Sequence, residues 1–137
     1  MADTVKFELV SPERLLFSAD VESVVVPGTE GDFGVLPGHA RLISTVRPGV
    51  ISIFQAGKVT DRIFVEGGFA EVTGTGCTVL AEHAVPVSDI SRDQAQQAIQ
   101  DAREDVEDAK DDEARKEAAK ALEIAEARLQ AVDVVVY

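Results

Sequence analysis

All 10 glycines and all 5 prolines of this chain lie at or before Pro86, and the stretch from Val87 to Tyr137 contains neither. Glycine supplies the backbone conformations of tight turns, and proline stops helices. A stretch without either therefore suits long helices, whereas a stretch rich in both suits short strands and turns. The chain is read as two units, residues 1–87 and 88–137.

The first unit carries strand signals. In Val5-Lys-Phe-Glu-Leu-Val10, Val5, Phe7 and Leu9 fall on one face. Val21 to Val26 is β-branched and stops at Pro27-Gly28. Val50 to Phe54 and Arg62 to Glu66 flank Ala56-Gly57-Lys58 as a hairpin, and Phe69 to Thr73 pairs with Cys77 to Ala81 across Thr75-Gly76. Many short strands separated by turn signals imply an antiparallel sandwich or barrel.

The second unit reads as two helices. Ser91-Arg-Asp-Gln94 is a capping-box pattern. Ala95, Ala98, Ile99, Ala102, Val106 and Ala109 form one apolar stripe, and Ala114, Ala118, Ala121, Leu122, Ala125, Leu129 and Val132 form another. Lys110 to Glu113 holds no apolar residue and offers Asp111 or Asp112 as a second cap. Two stripes joined by a short link predict an antiparallel helical hairpin with an alanine seam. Asp101/Asp105, Glu104/Asp108, Glu107/Asp111 and Asp108/Asp112 are like-charge pairs four residues apart, so the first helix is expected to be strained electrostatically.

Charge and composition exclude several function classes. The net charge of −12 repels phosphate backbones and anionic lipid, so no nucleic acid and no electrostatic docking to membranes are expected. No apolar run is long enough to span a bilayer, so no direct membrane insertion is expected. The N-terminus carries neither a signal core nor a transit pattern. One cysteine, Cys77, cannot form an internal disulfide or a cysteine-rich zinc site, and His39 and His83 cannot make a multi-histidine centre. No cofactor and no metal are expected.

Asp32-Phe-Gly34 spells the kinase metal tripeptide, but no other kinase motif accompanies it. Gly28, Gly31 and Gly34 read as a loop with no Gly-Lys-Ser/Thr and no following helix, so they do not cradle phosphate. His39 near Asp32 is conceivable as a general base, yet no nucleophile stands at motif spacing. His83 reads as a surface residue and Cys77 as buried and inert. The carboxylates from Asp101 to Glu113 lack the alternation and the glycine of a calcium loop. From the residues alone the chain is an acidic, non-catalytic β unit with a helical hairpin.

Val26-Pro-Gly-Thr-Glu-Gly-Asp-Phe-Gly-Val-Leu-Pro-Gly-His-Ala40 followed by Arg47-Pro-Gly-Val50 resembles the epsilon subunit family of F-type ATP synthases. Val65 to Val72, Thr78 to Ala84, Val10-Ser-Pro-Glu13 and Leu16-Phe-Ser18 fit the same family, in order along the chain. The resemblance implies an N-terminal antiparallel β-sandwich (1–87) that binds the gamma subunit and the membrane rotor ring, and a regulatory helical hairpin (88–137). It implies a non-catalytic rotor subunit on the cytoplasmic face of a bacterial inner membrane. Glu30, Gly31, Asp32 and Phe33 would meet the ring; His39, Ala40, Arg41 and Leu42 would lie near the gamma–ring junction. Arg115, Lys116, Lys120 and Arg128 would be the hairpin's inhibitory contacts to the catalytic alpha/beta subunits.

One departure from the family bears on nucleotide. Members that bind ATP carry Ile/Leu-Asp-x-x-Arg-Ala at the first helix, whereas here Ile90-Ser-Arg-Asp-Gln-Ala95 replaces the aspartate with Ser91 and the arginine with Gln94. The charge-assisted bond to phosphate goes with that arginine, so no nucleotide is expected. Inhibition is weakened too, because residues 88–137 hold 7 basic and 14 acidic residues. Two rival classes are a free-standing β-sandwich interaction module with an acidic helical tail, and an enzyme built on His39 and Asp32.

Overall fold

The computed structural model describes residues 4–134 and places ten strands up to Pro86 and two long helices after it. Two units result, Met1–Pro86 and Val87–Tyr137. In the first, β1 (Val5–Val10) buries Val5, Phe7 and Leu9 and turns Lys6 and Glu8 outward, the alternation expected of a half-buried strand. It is followed by β2 (Leu15–Val21), β3 (Ser23–Gly28), β4 (Gly31–Val35), β5 (Leu42–Val46), β6 (Gly49–Gln55), β7 (Lys58–Val65), β8 (Gly68–Val72), β9 (Gly76–Leu80) and β10 (Ala84–Pro86).

The pairings divide these strands into two layers. One runs β4-β3-β6-β7-β10 and the other β5-β8-β9-β1-β2. They meet at β3, which pairs with β6 through Ser23, Val24 and Val25 and then with β5 at Gly28, opposite Val46. A strand that changes partners in this way makes a corner between packed sheets. All pairs are antiparallel except β1 with β9, which run parallel from Lys6↔Gly76 to Val10↔Leu80. The core lies between the layers, with Val24, Val26, Val35, Ile51, Ile53 and Val65 from one and Phe7, Leu9, Val46, Val72, Cys77 and Val79 from the other.

Two stretches differ from the sequence expectation. The Val21 to Val26 run is broken at Glu22, so that β2 ends at Val21 and β3 begins at Ser23. Gly31 to Gly34, expected in a loop, lies in strand β4, which pairs with β3 from Gly28↔Gly31 to Val24↔Val35. The glycine-rich segment is therefore a β-hairpin, with Thr29 and Glu30 as its turn.

In the second unit α1 (Arg92–Asp108) starts at Ser91, whose Oγ accepts from the Gln94 amide at 3.2 Å. α2 (Asp112–Asp133) starts at Asp111, whose carboxylate accepts from the Ala114 amide at 2.7 Å. An ion pair between Arg92, at the start of α1, and Asp133, at the end of α2, fixes the antiparallel arrangement. Ala95, Ile99 and Ala102 are buried on α1, and Ala118, Ala125 and Ala131 on α2. Ala114 and Ala121, expected in the seam, are exposed instead and line an open groove with Asp105, Asp108 and Glu117.

Only Asp101/Asp105 and Glu104/Asp108, of the four like-charge pairs, fall within one helix. α1 ends at Asp108, and Asp111 is the cap of α2, so Glu107/Asp111 and Asp108/Asp112 are not neighbours on one helix. Asp101 and Glu104 also accept side-chain hydrogen bonds, from Gln97 at 2.9 Å and Gln100 at 3.2 Å.

Candidate functional site

The β3–β4 hairpin tip is a tightly constrained surface feature of the first unit. Its tightness comes from sequence. A Cβ on Gly28 would stand 2.7 Å from the Gly31 carbonyl and 3.0 Å from the Phe33 ring, so only glycine fits there. Gly31 holds φ at 130°, which side chains rarely adopt. Arg47, just past β5, then fastens the tip from the side. Its backbone N–H donates to the Pro27 carbonyl at 2.9 Å, Nη1 donates to the Gly28 carbonyl at 2.6 Å, and Nη2 donates to Asp32 Oδ1 at 2.5 Å. Thr29 adds an amide bond to the Thr45 carbonyl at 3.1 Å and a hydroxyl bond to Thr45 at 2.6 Å.

Of the four residues assigned to a ring contact, Glu30, Gly31 and Asp32 are exposed at this tip. Phe33 is not turned the same way. Its ring covers Gly28 and packs, half-buried, on the core. Asp32 is exposed but engaged by Arg47. Sequence reasoning missed Arg47 as part of this site. It was visible only inside Arg47-Pro-Gly-Val50, and nothing in a separation of 15 residues points to Asp32.

His39, Ala40, Arg41 and Leu42 follow β4 through a turn in which the His39 amide donates to the Leu36 carbonyl at 3.1 Å and Gly38 has φ 79°. The His39 ring lies with Nδ1 2.6 Å from the Ala40 carbonyl, so that nitrogen donates there. His39 and Asp32 thus have separate partners, and the pairing an enzyme would need is not formed. Around this segment large apolar side chains face solvent, with Leu36 60% and Ile43 72% exposed. The outer face of the second layer continues the pattern. Phe69 faces Leu80, Leu80 faces Val10, and Val10 faces Leu15, one apolar row across four strands.

The four cations assigned to the hairpin all lie on α2. Arg115 approaches Asp112 at 3.6 Å, Lys116 and Lys120 are exposed, and Arg128 is half-buried. Ser91 is used as the cap of α1, so the position of the missing aspartate is already engaged by backbone. Among the described residues no cluster of His, Cys, Asp and Glu has the make-up of a metal site, and no helix is long and apolar enough to cross a membrane. His83 is exposed.

Cys77 is 1% exposed, and burial pushes its thiol up from 9.0 to about 11. The folded state favours the neutral thiol, so the stability this contributes is intact below the unfolded value and is lost as pH rises from 9.0 to about 11. The native chain should leave Ellman's reagent unreacted for hours at pH 8 and react within minutes in 6 M guanidinium, while urea midpoints fall across that alkaline window. Fast native labelling would show that the thiol is accessible.

The family model for the ATP synthase delta/epsilon chain β-sandwich domain matches residues 4–87, most of the chain. The chain belongs to the ATP synthase delta/epsilon family. An ATP synthase epsilon chain from Rhodospirillum rubrum is 56% identical over 131 residues, covering 96% of this chain and 98% of the relative. One from Maricaulis maris is 56% identical over 119 residues, covering 87% of this chain and 89% of the relative. Such matches extend past the sandwich, so the helical hairpin belongs to the epsilon-chain pattern as well. A chain in the structure of the Euglena gracilis mitochondrial ATP synthase, OSCP/F1/c-ring, superposes with a TM-score of 0.84 at 26% identity, covering 94% of this chain and 81% of that one. A chain of the Tetrahymena thermophila mitochondrial ATP synthase central stalk/c-ring shares the fold, with a TM-score of 0.67 at 13% identity, covering 93% of this chain and 96% of that one. The family name denotes a subunit of the synthase.

Proposed function

We propose that this epsilon chain is a non-catalytic central-stalk rotor subunit of a proton-translocating ATP synthase, peripheral on the cytoplasmic face of a bacterial inner membrane. Residues 1–87 bind the gamma subunit and the rotor ring; residues 88–137 regulate. The observation that carries this reading is the exposed apolar surface from Leu36 and Ile43 to Phe69 and Leu80, of which Ile43 is 72% and Phe69 56% exposed. The row Phe69–Leu80–Val10–Leu15 joins apolar side chains across four strands, with Ile43 beyond Thr45 and Glu71 on the same face. Exposed apolar surface of this kind marks a protein interface, and the Glu30–Asp32 tip supplies the polar contact to the ring.

Ile43→Asp tests it. The side chain faces solvent, so the isolated chain should keep its stability to within about 0.5 kcal/mol. Its affinity for a complex of gamma and the ring should fall at least 100-fold, about 2.7 kcal/mol. Assembly within threefold of the parent chain would remove the apolar surface as the docking face.

Regulation is the smaller part of this reading. Arg115, Lys116, Lys120 and Arg128 could contact the catalytic alpha/beta subunits, but they lie in a segment with twice as many acidic as basic residues. The hairpin is therefore dispensable for assembly. Truncation after Ser88 should leave a soluble protein with one cooperative melt, because the cut falls beyond the last strand. It should still join the complex and support proton-driven ATP synthesis in vesicles. Loss of assembly on truncation would move the working surface to the helices.

A further inference from the structure

The hairpin tip carries two carboxylates, Glu30 and Asp32, and the second is held by a cation from outside the hairpin. We propose that Arg47 is the positioning residue of the tip, and that Glu30, not Asp32, is the carboxylate the tip presents to its partner. This rests on the reading of the tip as a rotor-ring contact and specifies which group makes it.

The geometry supports this in three ways. First, the Arg47 guanidinium spans the tip, donating from Nη1 to the Gly28 carbonyl at 2.6 Å and from Nη2 to Asp32 Oδ1 at 2.5 Å. Gly28 and Asp32 lie on opposite strands of the hairpin, so one planar group fixes both sides of the turn, as an arginine fork can and a lysine ammonium cannot. Second, the turn needs such a brace. Gly28 and Gly31 face each other across it, and glycines lose more conformational freedom on ordering than other residues do. Third, Arg47 is itself anchored. Its amide bonds Pro27, and Gly49 lies so close to Pro27 that an added Cβ would come within 2.9 Å of the proline Cβ. The brace therefore stands on the corner where β3 passes between layers. With Asp32 paired to Arg47, the unneutralised charge at the turn belongs to Glu30, on the exposed side.

The test uses the full chain and the rebuilt synthase, with Arg47→Ala, Arg47→Lys, Asp32→Asn and Glu30→Gln. Amide hydrogen exchange of Thr29, whose N–H bonds Thr45, reports the tip, and exchange of Val26 within the β3–β4 pairing serves as the internal reference. The Thr29/Val26 exchange ratio should rise at least tenfold in Arg47→Ala and at least threefold in Arg47→Lys, with no change in Glu30→Gln. Protons pumped per ATP hydrolysed should fall at least twofold in Arg47→Ala and in Glu30→Gln, and less in Asp32→Asn, where the Gly28 half of the brace survives. A Thr29/Val26 ratio within twofold of the parent in both Arg47 variants overturns the positioning role. An Asp32→Asn loss equal to or above that of Glu30→Gln, with the ratio unchanged, makes Asp32 the contact and overturns the assignment to Glu30. If the ratio responds as expected but pumping is normal in every variant, the brace stands and the assignment of the tip to the ring is what fails.

Discussion

Gly68→Ala should destabilise the first unit by about 4 kcal/mol, enough to halve or more the margin of an ordinary domain. Gly68 holds φ at 147°, a region essentially reserved for glycine, where a side chain costs on the order of 1–3 kcal/mol in backbone strain alone. The added methyl would also overlap the Leu80 carbonyl oxygen and stand 3.2 Å from the Ala81 Cα. These are backbone atoms in a paired strand and the residue after it. Leu80 faces Phe69 and Val10, and the Ala81 amide donates to the Val10 carbonyl at 2.9 Å, so neither can withdraw without opening the second layer. Urea unfolding should show the midpoint collapsing. Gly34→Ala is the control, because a Cβ there meets nothing within 4 Å and the backbone angle is ordinary. A Gly68→Ala chain within 1 kcal/mol of the parent would mean that β8 and β9 shift apart at little cost.

Phe7→Ala should cost a similar amount, about 4 kcal/mol, by emptying the centre of the core. Phe7 is 0% exposed, stands opposite Cys77 on β9 and Ala19 on β2, and has the Phe17 ring 5.9 Å away at 49°. Its small neighbours cannot expand into the void. Phe7→Leu should cost much less, and the Phe7→Ala/Phe17→Ala double variant should cost less than the sum, because the ring pair is removed once. Equal costs for the leucine and alanine variants would show that cavity volume is not what limits stability here.

The helices and the alternating strands were legible because their signals are local. Ser91 and Asp111 are caps by virtue of the amides three residues on, and Val5, Phe7 and Leu9 alternate within six residues. β4 was not legible. Gly31-Asp-Phe-Gly-Val35 has two glycines and an aspartate, poor strand formers, and becomes a strand because β3 supplies its partners. β2 was recognised only as a family block, since Ala19 and Asp20 belong to types depleted in strands and its pairing to β1 is tertiary. The tip followed the same rule. Glu30 and Asp32 could be placed near one loop tip by sequence, but the distinction between them depends on Arg47, which only the corner between layers brings near. The glycine at 28 was legible as a glycine, while the Phe33 ring lying over it was not.

The parallel pairing of β1 with β9 sets an order of events during synthesis. Among the described strands β1 is the first to emerge, and β2 can pair with one of its edges at once. The other edge, Lys6 to Val10, has no partner until Gly76 to Leu80 has been made. A contact spanning about seventy residues is closed late, and such long-range pairing slows folding more than local pairing does. Until then a nascent hairpin leaves the backbone edge of Lys6 to Val10 unpaired beside the apolar face of Val5, Phe7 and Leu9, the kind of surface that pairs with other chains. The second layer therefore closes only when almost all of the first unit has left the ribosome, and the hairpin helices follow it. The sandwich surface that depends on both layers is thereby completed only after its last long-range strand pair has closed.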